Sequence, residues 1–311
     1  MADLRLRLTL QGPVATPMHS GTLFGHLCWI KRWRDGEDAL ADWLAAMAQR
    51  PLLISDALPA DCLPRPLLAP MEPPRPAGGD RAAFVRRLQA DRALLGTDYI
   101  RVTDFLDLRV RLNEAQLLDR LRSTGAAETG DGRVMPQARH PLHRLRATAL
   151  EGDGRQVALE CWPDAAAAGR DVYVRGGDAD TEDLFRRLGE WGFGRAAGLG
   201  RGRFTVRAEP AEPRLFQHRG NRLLSLSHGV LTPNMLHPRY RLHAHYGKLG
   251  AGHDRPLSPH KRPLILTRPG ATFEPADAGP YGALLAAVHP GTAPVRHHAL
   301  HLCLPYTEAD A

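Results

Sequence analysis

Six glycines and three arginines crowd the short segment from Gly189 to Arg203, and no regular helix or strand tolerates glycine at that density. Gly192, Gly194, Gly198, Gly200 and Gly202 lack a Cβ, so the backbone there can take positive φ, approach an anion closely and turn several N–H groups toward it. Arg195, Arg201 and Arg203 would add charge-assisted bonds. Upstream, Asp180 or Thr181 can cap a helix running through Leu184, Phe185 and Leu188 to Gly189, and downstream Arg203 to Arg207 reads as a strand. Two nucleotide motifs do not fit the order helix, loop, strand or the residues present. Gly192-Phe193-Gly194-Arg195-Ala196-Ala197 imitates a dinucleotide fingerprint, but that fingerprint follows a strand and opens a helix. A P-loop needs a lysine, and the segment has none. An anion cradle is the functional reading that remains; a flexible hinge with solvated arginines is its structural alternative.

The charge balance favours a polyanionic partner. Lys+Arg total 41 against 34 Asp+Glu, a net charge of +7, which suits nucleic acid. Only Lys31, Lys248 and Lys261 are lysine. Arginine therefore supplies nearly all the positive charge, and its planar fork pairs with phosphate and stacks on bases, although GC-rich codon usage also enriches arginine. The four cysteines, Cys28, Cys62, Cys161 and Cys303, form no C-x-x-C pair, so neither a zinc ribbon nor a disulfide framework is indicated. No run approaches 18 apolar residues, and Met1 to Leu10 lacks an apolar signal core. The expectation is a cytoplasmic protein with no membrane partner.

At 311 residues the chain is long enough for two domains. Asp3 to Leu10 alternates strictly, placing four leucines on one face, as a half-buried strand requires. Ser20 can cap a following helix that ends near Gly36, and a second helix spans roughly Asp38 to Gln49 before a short strand at Leu52 to Ile54. Seven prolines between Pro59 and Pro76 predict an extended surface excursion. Arg81 to Leu95 reads as a helix with Phe84, Val85, Leu88 and Leu95 inward, Tyr99 to Leu108 as extended, Asn113 to Leu121 as helical, and 125–133 as a glycine-rich mobile stretch. Strands follow at Gln156 to Cys161 and Val172 to Val174. The proline-flanked stretch 209–213 is the domain boundary candidate. Beyond it, Leu223 to Leu226, Tyr240 to Tyr246, Leu264 to Thr267 and His298 to Leu304 read as strands, with a helix near Tyr281 to Ala287. The fold class is α+β, with domains at 1–209 and 214–311.

The run Gly194-Arg195-Ala196-Ala197-Gly198-Leu199-Gly200-Arg201-Gly202-Arg203-Phe204, between a helix and a domain's last strand, resembles the glycine-rich loop of the RAMP superfamily of CRISPR proteins. Three further segments narrow the likeness to the fourth-subunit family of type III-A (Csm) effector complexes: Ser20 to Trp29, His143 to Arg146, and Tyr246 to Gly250 with Lys261 to Leu264. The resemblance implies two tandem ferredoxin-like, RRM-like domains, the first carrying an inserted thumb at about 125–155 and the glycine-rich loop at 192–204. It implies a non-enzymatic subunit, without cofactor, that caps the 5′ repeat-derived tag of a guide RNA. By resemblance its neighbours are the large polymerase-type signalling subunit and the helical backbone subunit, with target RNA met only indirectly. The implied RNA contacts are Ser20, Gly21 and Lys31 on the first helix, Gly194, Arg195, Gly198, Gly200, Arg201, Gly202 and Arg203 in the loop, Lys248 in the second half, and His143, Arg144 and Arg146 on the thumb. Planar imidazole and guanidinium groups there would stack on unpaired bases. Where the family often carries lysine and serine in the loop, this chain has Arg195, Ala196 and Ala197.

Fifteen histidines suggest two other chemistries. Repeat-cleaving ribonucleases of the same superfamily use a histidine as general acid or base, and His19 or His26 would be the residue here. In those enzymes, however, the glycine-rich loop lies close to the carboxyl terminus, whereas more than a hundred residues follow it in this chain. His243 and His245 alternate on one predicted strand and share a face, as metal ligands can, and His297, His298 and His301 cluster near the end. No carboxylate or cysteine completes a ligand set by spacing, so no metal site is assigned.

Overall fold

The computed structural model describes residues 3–71, 81–127, 133–139, 156–162, 169–250, 260–289 and 295–309. Strand β1 (Leu4–Leu10) buries Leu6, Leu8 and Leu10, as its alternation requires. Helix α1 (Ser20–Asp35) ends at Gly36, whose φ of 94° only glycine takes readily, and helix α2 (Glu37–Ala46) leads to strand β2 (Leu53–Ile54).

A long excursion follows: β3 (Leu58–Pro59), β4 (Cys62–Pro64), α3 (Arg81–Leu95), β5 (Tyr99–Arg101), α4 (Val102–Leu108), α5 (Glu114–Thr124), and the antiparallel pair β6 (Arg133–Arg139) and β7 (Gln156–Trp162). The chain then returns through β8 (Gly169–Arg175), α6 (Ala179–Trp191) and β9 (Phe204–Pro210). The first sheet has the order β2-β8-β1-β9, with β3 also on β8 and every pair antiparallel. Without the excursion, β1-α1-β2-β8-α6-β9 is a β-α-β-β-α-β unit, the ferredoxin-like arrangement.

The second half contains α7 (Pro213–Phe216), β10 (Arg222–Ser225), β11 (Met235–Arg239), the hairpin β12 (Leu242–His245) and β13 (Leu264–Thr267), β14 (Thr272–Pro275), the hairpin β15 (Gly282–Leu285) and β16 (His297–Leu300), and β17 (Cys303–Tyr306). With the two hairpins left out, its sheet order, β11-β14-β10-β17, again all antiparallel, repeats the first: second, third, first and fourth strand. The α+β expectation is met, and the two sheets share one strand order. The second sheet lacks helices of its own at the crossings among the described residues; its cover comes from elsewhere. Ile100, Phe105, Leu117 and Leu121 of the excursion pack with Leu224, Leu226, Leu302 and Leu304 in one buried cluster. This core draws on both sides of the 209–213 stretch.

Several local expectations change. Residues 62–64, 66 and 68 of the proline-rich stretch are buried, not a surface excursion, because the Leu67 amide donates to the Gly270 carbonyl and the Thr272 hydroxyl to that of Leu67. Residues 102–108 are helical rather than extended: the Val102 amide donates to Asp61 O, and the turn seats Phe105 in the core. Residues 282–285 are a strand despite Ala and Leu, because pairing with β16 overrides helix propensity. Val85 is exposed. The cap of α6 is Asp178, in a capping box with Thr181, and Gly189 lies inside that helix. The 125–133 stretch falls largely, at 128–132, outside the described residues.

Candidate nucleic-acid interface

The glycine-rich loop is braced from within. Phe193 and Phe204 are buried at its two ends, and the Phe193 amide donates to Gly202 O (2.9 Å). The Gly202 amide donates to Pro13 O, the Gly194 amide to Nε2 of His26 (3.3 Å), and the Arg195 amide to Oγ1 of Thr16 (2.9 Å). Gly192, Gly194, Ala196, Gly200 and Gly202 all have positive φ, and a short 3-10 turn at Ala197–Leu199 closes the tip. The glycines divide by environment. A Cβ on Gly202 would stand 2.1 Å from the Phe193 carbonyl oxygen and one on Gly194 2.6 Å from Thr16, whereas Gly198 and Gly200 have no atom within 4 Å. The first pair lets the loop fold; the second leaves its tip open. Arg195, Gly198, Leu199, Gly200 and Arg203 are exposed, Gly202 is buried, and Arg201 is half-buried with Nε enclosed. Neither the Arg195 nor the Arg203 guanidinium enters an ion pair among the described residues.

The amino end of α1 is closed rather than open. Ser20 is the first helical residue, not the cap, and its amide donates to Oδ1 of Asp56 (2.9 Å). The capping acceptor comes from 36 residues downstream, beyond the reach of a local capping pattern. Asp56 also accepts from the His228 amide (3.1 Å) and from Nδ1 of His228 (2.6 Å); burial pushes its pKa up, but these donors hold it below the ordinary carboxylate value. Gly21 is buried beneath β16, where a Cβ would meet the His298 carbonyl at 2.6 Å. Ser20 and Gly21 thus seat the helix against the second half. Lys31 bonds Asp35 (2.7 Å) and Asp180 (3.0 Å), tying α1 to α6. Lys248 is exposed beside a backbone bridge to His260. His143, Arg144 and Arg146 lie outside the described residues.

The open face of the first sheet is not an RRM-type stacking platform. Arg5 and Arg7 project there, but Arg5 pairs with Glu209 and Asp61, and Arg7 with Asp171 and Asp61. Tyr173 on that face is buried. An aromatic group that sequence reasoning missed stands elsewhere: Trp191, the last residue of α6, stacks on Trp33 at 4.7 Å, and both are about half exposed (55% and 52%). Their separation of more than 150 residues hides the pair. Equally hidden is a row of imidazoles between the halves, where His19, His228 and His243 meet, continuing through His245 to His297. Of the two histidines weighed for acid–base work, His26 has its pKa pushed down to about 4 by burial, and His19 also to about 4, chiefly by burial. As a neutral acceptor, His26 serves the loop.

Neither a family model nor a curated relative matches the sequence. By structure, the chain aligns over 100% of its length, and 100% of theirs, with chains of the Csm1-Csm4 cassette in complex with cA4 (TM-score 0.62, 15% identity) and with AMPPNP (0.60, 15%). It aligns over 98% of its length with 99% of a chain from the Csm3-Csm4 subcomplex of the type III-A CRISPR-Cas interference complex (0.57, 11%). Csm4 is the component common to these assemblies. The chain has a Csm4-like fold. The resemblance read from the loop and its companion segments is therefore met across the whole chain, at the level of architecture. Among the described residues, no helix is long and apolar enough to cross a membrane.

Proposed function

We propose that this chain is a non-catalytic RNA-binding subunit of a type III-A interference complex. It caps the 5′ repeat-derived tag of the guide RNA and bridges a Csm1-like signalling subunit and a Csm3-like backbone subunit in antiviral defence. The observation that carries this reading is the braced loop itself, whose open Gly198 and Gly200 backbone stands between the exposed Arg195 and Arg203 on a Csm4-like fold. A braced knuckle with two guanidinium groups that enter no ion pair among the described residues gives phosphates charge-assisted bonds at little ordering cost on binding. Trp33 and Trp191, exposed at the stem of the loop, add surfaces on which unpaired bases can stack.

If the protein engages about five phosphates, log affinity should fall against log salt with a slope near −3.5, roughly a hundredfold between about 50 and 200 mM. Binding of tagged guide RNA by the purified chain is the measurement. Replacing Arg195 and Arg203 together by alanine should cost at least about tenfold in affinity with an unchanged thermal melt; tag binding equal to wild type would refute the assignment. Cleavage of repeat RNA in the absence of metal would instead establish the ribonuclease reading, with His19 or His26 as its base.

A further inference from the structure

The row of histidines between the halves carries an inference independent of RNA binding. His19 precedes α1, His228 follows β10, and His243 lies on β12, so one ring comes from the first half and two from the second. One ring nitrogen of each lies within 4.8 Å of the others. His228 is buried and clamped: Nδ1 donates to Oδ2 of Asp56 at 2.6 Å, and that carboxylate is itself fixed by the Ser20 and His228 amides. This hydrogen bond leaves the lone pair on Nε2, and a carboxylate behind an imidazole is the arrangement that orients histidine ligands and raises their basicity. We propose that His19, His228 and His243 bind one Zn²⁺ ion, with water in the fourth position, clipping the two halves of the chain together.

The donor set selects the ion class. Imidazole nitrogens alone suit zinc and its transition-metal neighbours, whereas calcium and magnesium require oxygen ligands. Bonds of about 2.0–2.1 Å place tetrahedral donors about 3.3 Å apart, so the half-buried rings of His19 and His243 turn inward onto the fixed His228. The other end of the row is a poorer place for a cation, because Lys261 stands beside His245 and His297.

The test uses the full chain without a polyhistidine tag, stripped with EDTA and returned to metal-free buffer. After zinc addition and gel filtration, elemental analysis should find one zinc per chain, and Co²⁺ should give the visible d–d absorption of a four- or five-coordinate site. Zinc should raise the melting temperature by several degrees. His243→Ala and His19→Ala should abolish stoichiometric binding and that rise. Asp56→Asn should weaken binding by about 10- to 100-fold, and His237→Ala, on an exposed residue outside the row, should change nothing. His243 sits half-buried on a hairpin, so its variant remains informative if a change at His228 prevents folding. Wild-type protein that retains no zinc, or equal zinc in His243→Ala, His19→Ala and wild type, would overturn the proposal.

Discussion

Gly202 and Gly198 are four residues apart in one loop, and physical chemistry assigns them opposite tolerances. Alanine at 202 must hold a φ of 67° and place its Cβ 2.1 Å from a backbone oxygen, so left-handed strain and overpacking together should cost about 3 kcal/mol. Alanine at 198 meets nothing within 4 Å and should leave stability within about 0.5 kcal/mol. Urea titration checks both; a Gly202→Ala variant as stable as Gly198→Ala would mean the loop is not braced as described. RNA affinity then tests the tip separately, since a Cβ at 198 intrudes only if a phosphate comes against the backbone. Buried histidines set the acid response. Burial pushes His298 and His301 down to about 4 from 6.5, so between those values the unfolded chain holds more protons than the folded one. Their stabilisation is full above pH 6.5 and is lost as pH falls toward 4, by about 1.4 kcal/mol per unit for each. Melting temperature should fall by several degrees from pH 7.5 to 5.5, and His298→Gln, which can still donate to the Leu52 carbonyl that His298 bonds, should flatten that limb. An identical profile in wild type and variant would refute the assignment.

Elements whose determinants are local were legible in the sequence. The alternating leucines of β1, the glycine end of α1 and the helix of Asn113 to Leu121 need nothing beyond a few neighbours. The misread elements answer to distant partners: the 102–108 helix to Asp61, the buried prolines to β14, and the 282–285 strand to β16. The same division runs through the candidate site. Gly194 to Arg203 announced itself by composition, but Asp56 at the amino end of α1, the Trp33–Trp191 pair and the three meeting histidines are assembled by topology alone. Lys31, which the resemblance implies as an RNA contact, is held by two aspartates that the sequence alone does not bring to it. Helix α5 extends this argument to energetics. Leu117 is fully buried in the cluster that also holds Leu224 and Leu304 of the second sheet, so Leu117→Ala should cost about 3 kcal/mol, with an unchanged urea m-value. Amide exchange should rise in β10 and β17, although the substitution lies in the first half. Faster exchange confined to α5 and its own helices would contradict the shared core.

Two sheets of the same strand order suggest two independent folding units, yet their packing argues for one. The second sheet buries Leu224, Leu226, Leu302 and Leu304 under residues supplied by the excursion, and the connection between α4 and α5 pairs with the chain after β17, where Leu112 N donates to Thr307 O and Thr307 N to Arg109 O. Asp56 adds a polar tie by accepting from both halves at once. Removing the first half would uncover four buried leucines and orphan backbone groups that water cannot replace without opening the sheet. The first half alone would lose the partner of α4 and α5 while keeping its own core of β1, α1 and α6. The outcome of separate expression is therefore asymmetric. Residues 1–210 should retain a cooperative melt of reduced enthalpy. Residues 211–311 should bind hydrophobic dye and melt without a transition until the first half is supplied. A sharp, dye-free melt of 211–311 alone would show that the second sheet needs no borrowed cover, and the shared core would then not be what joins the two halves.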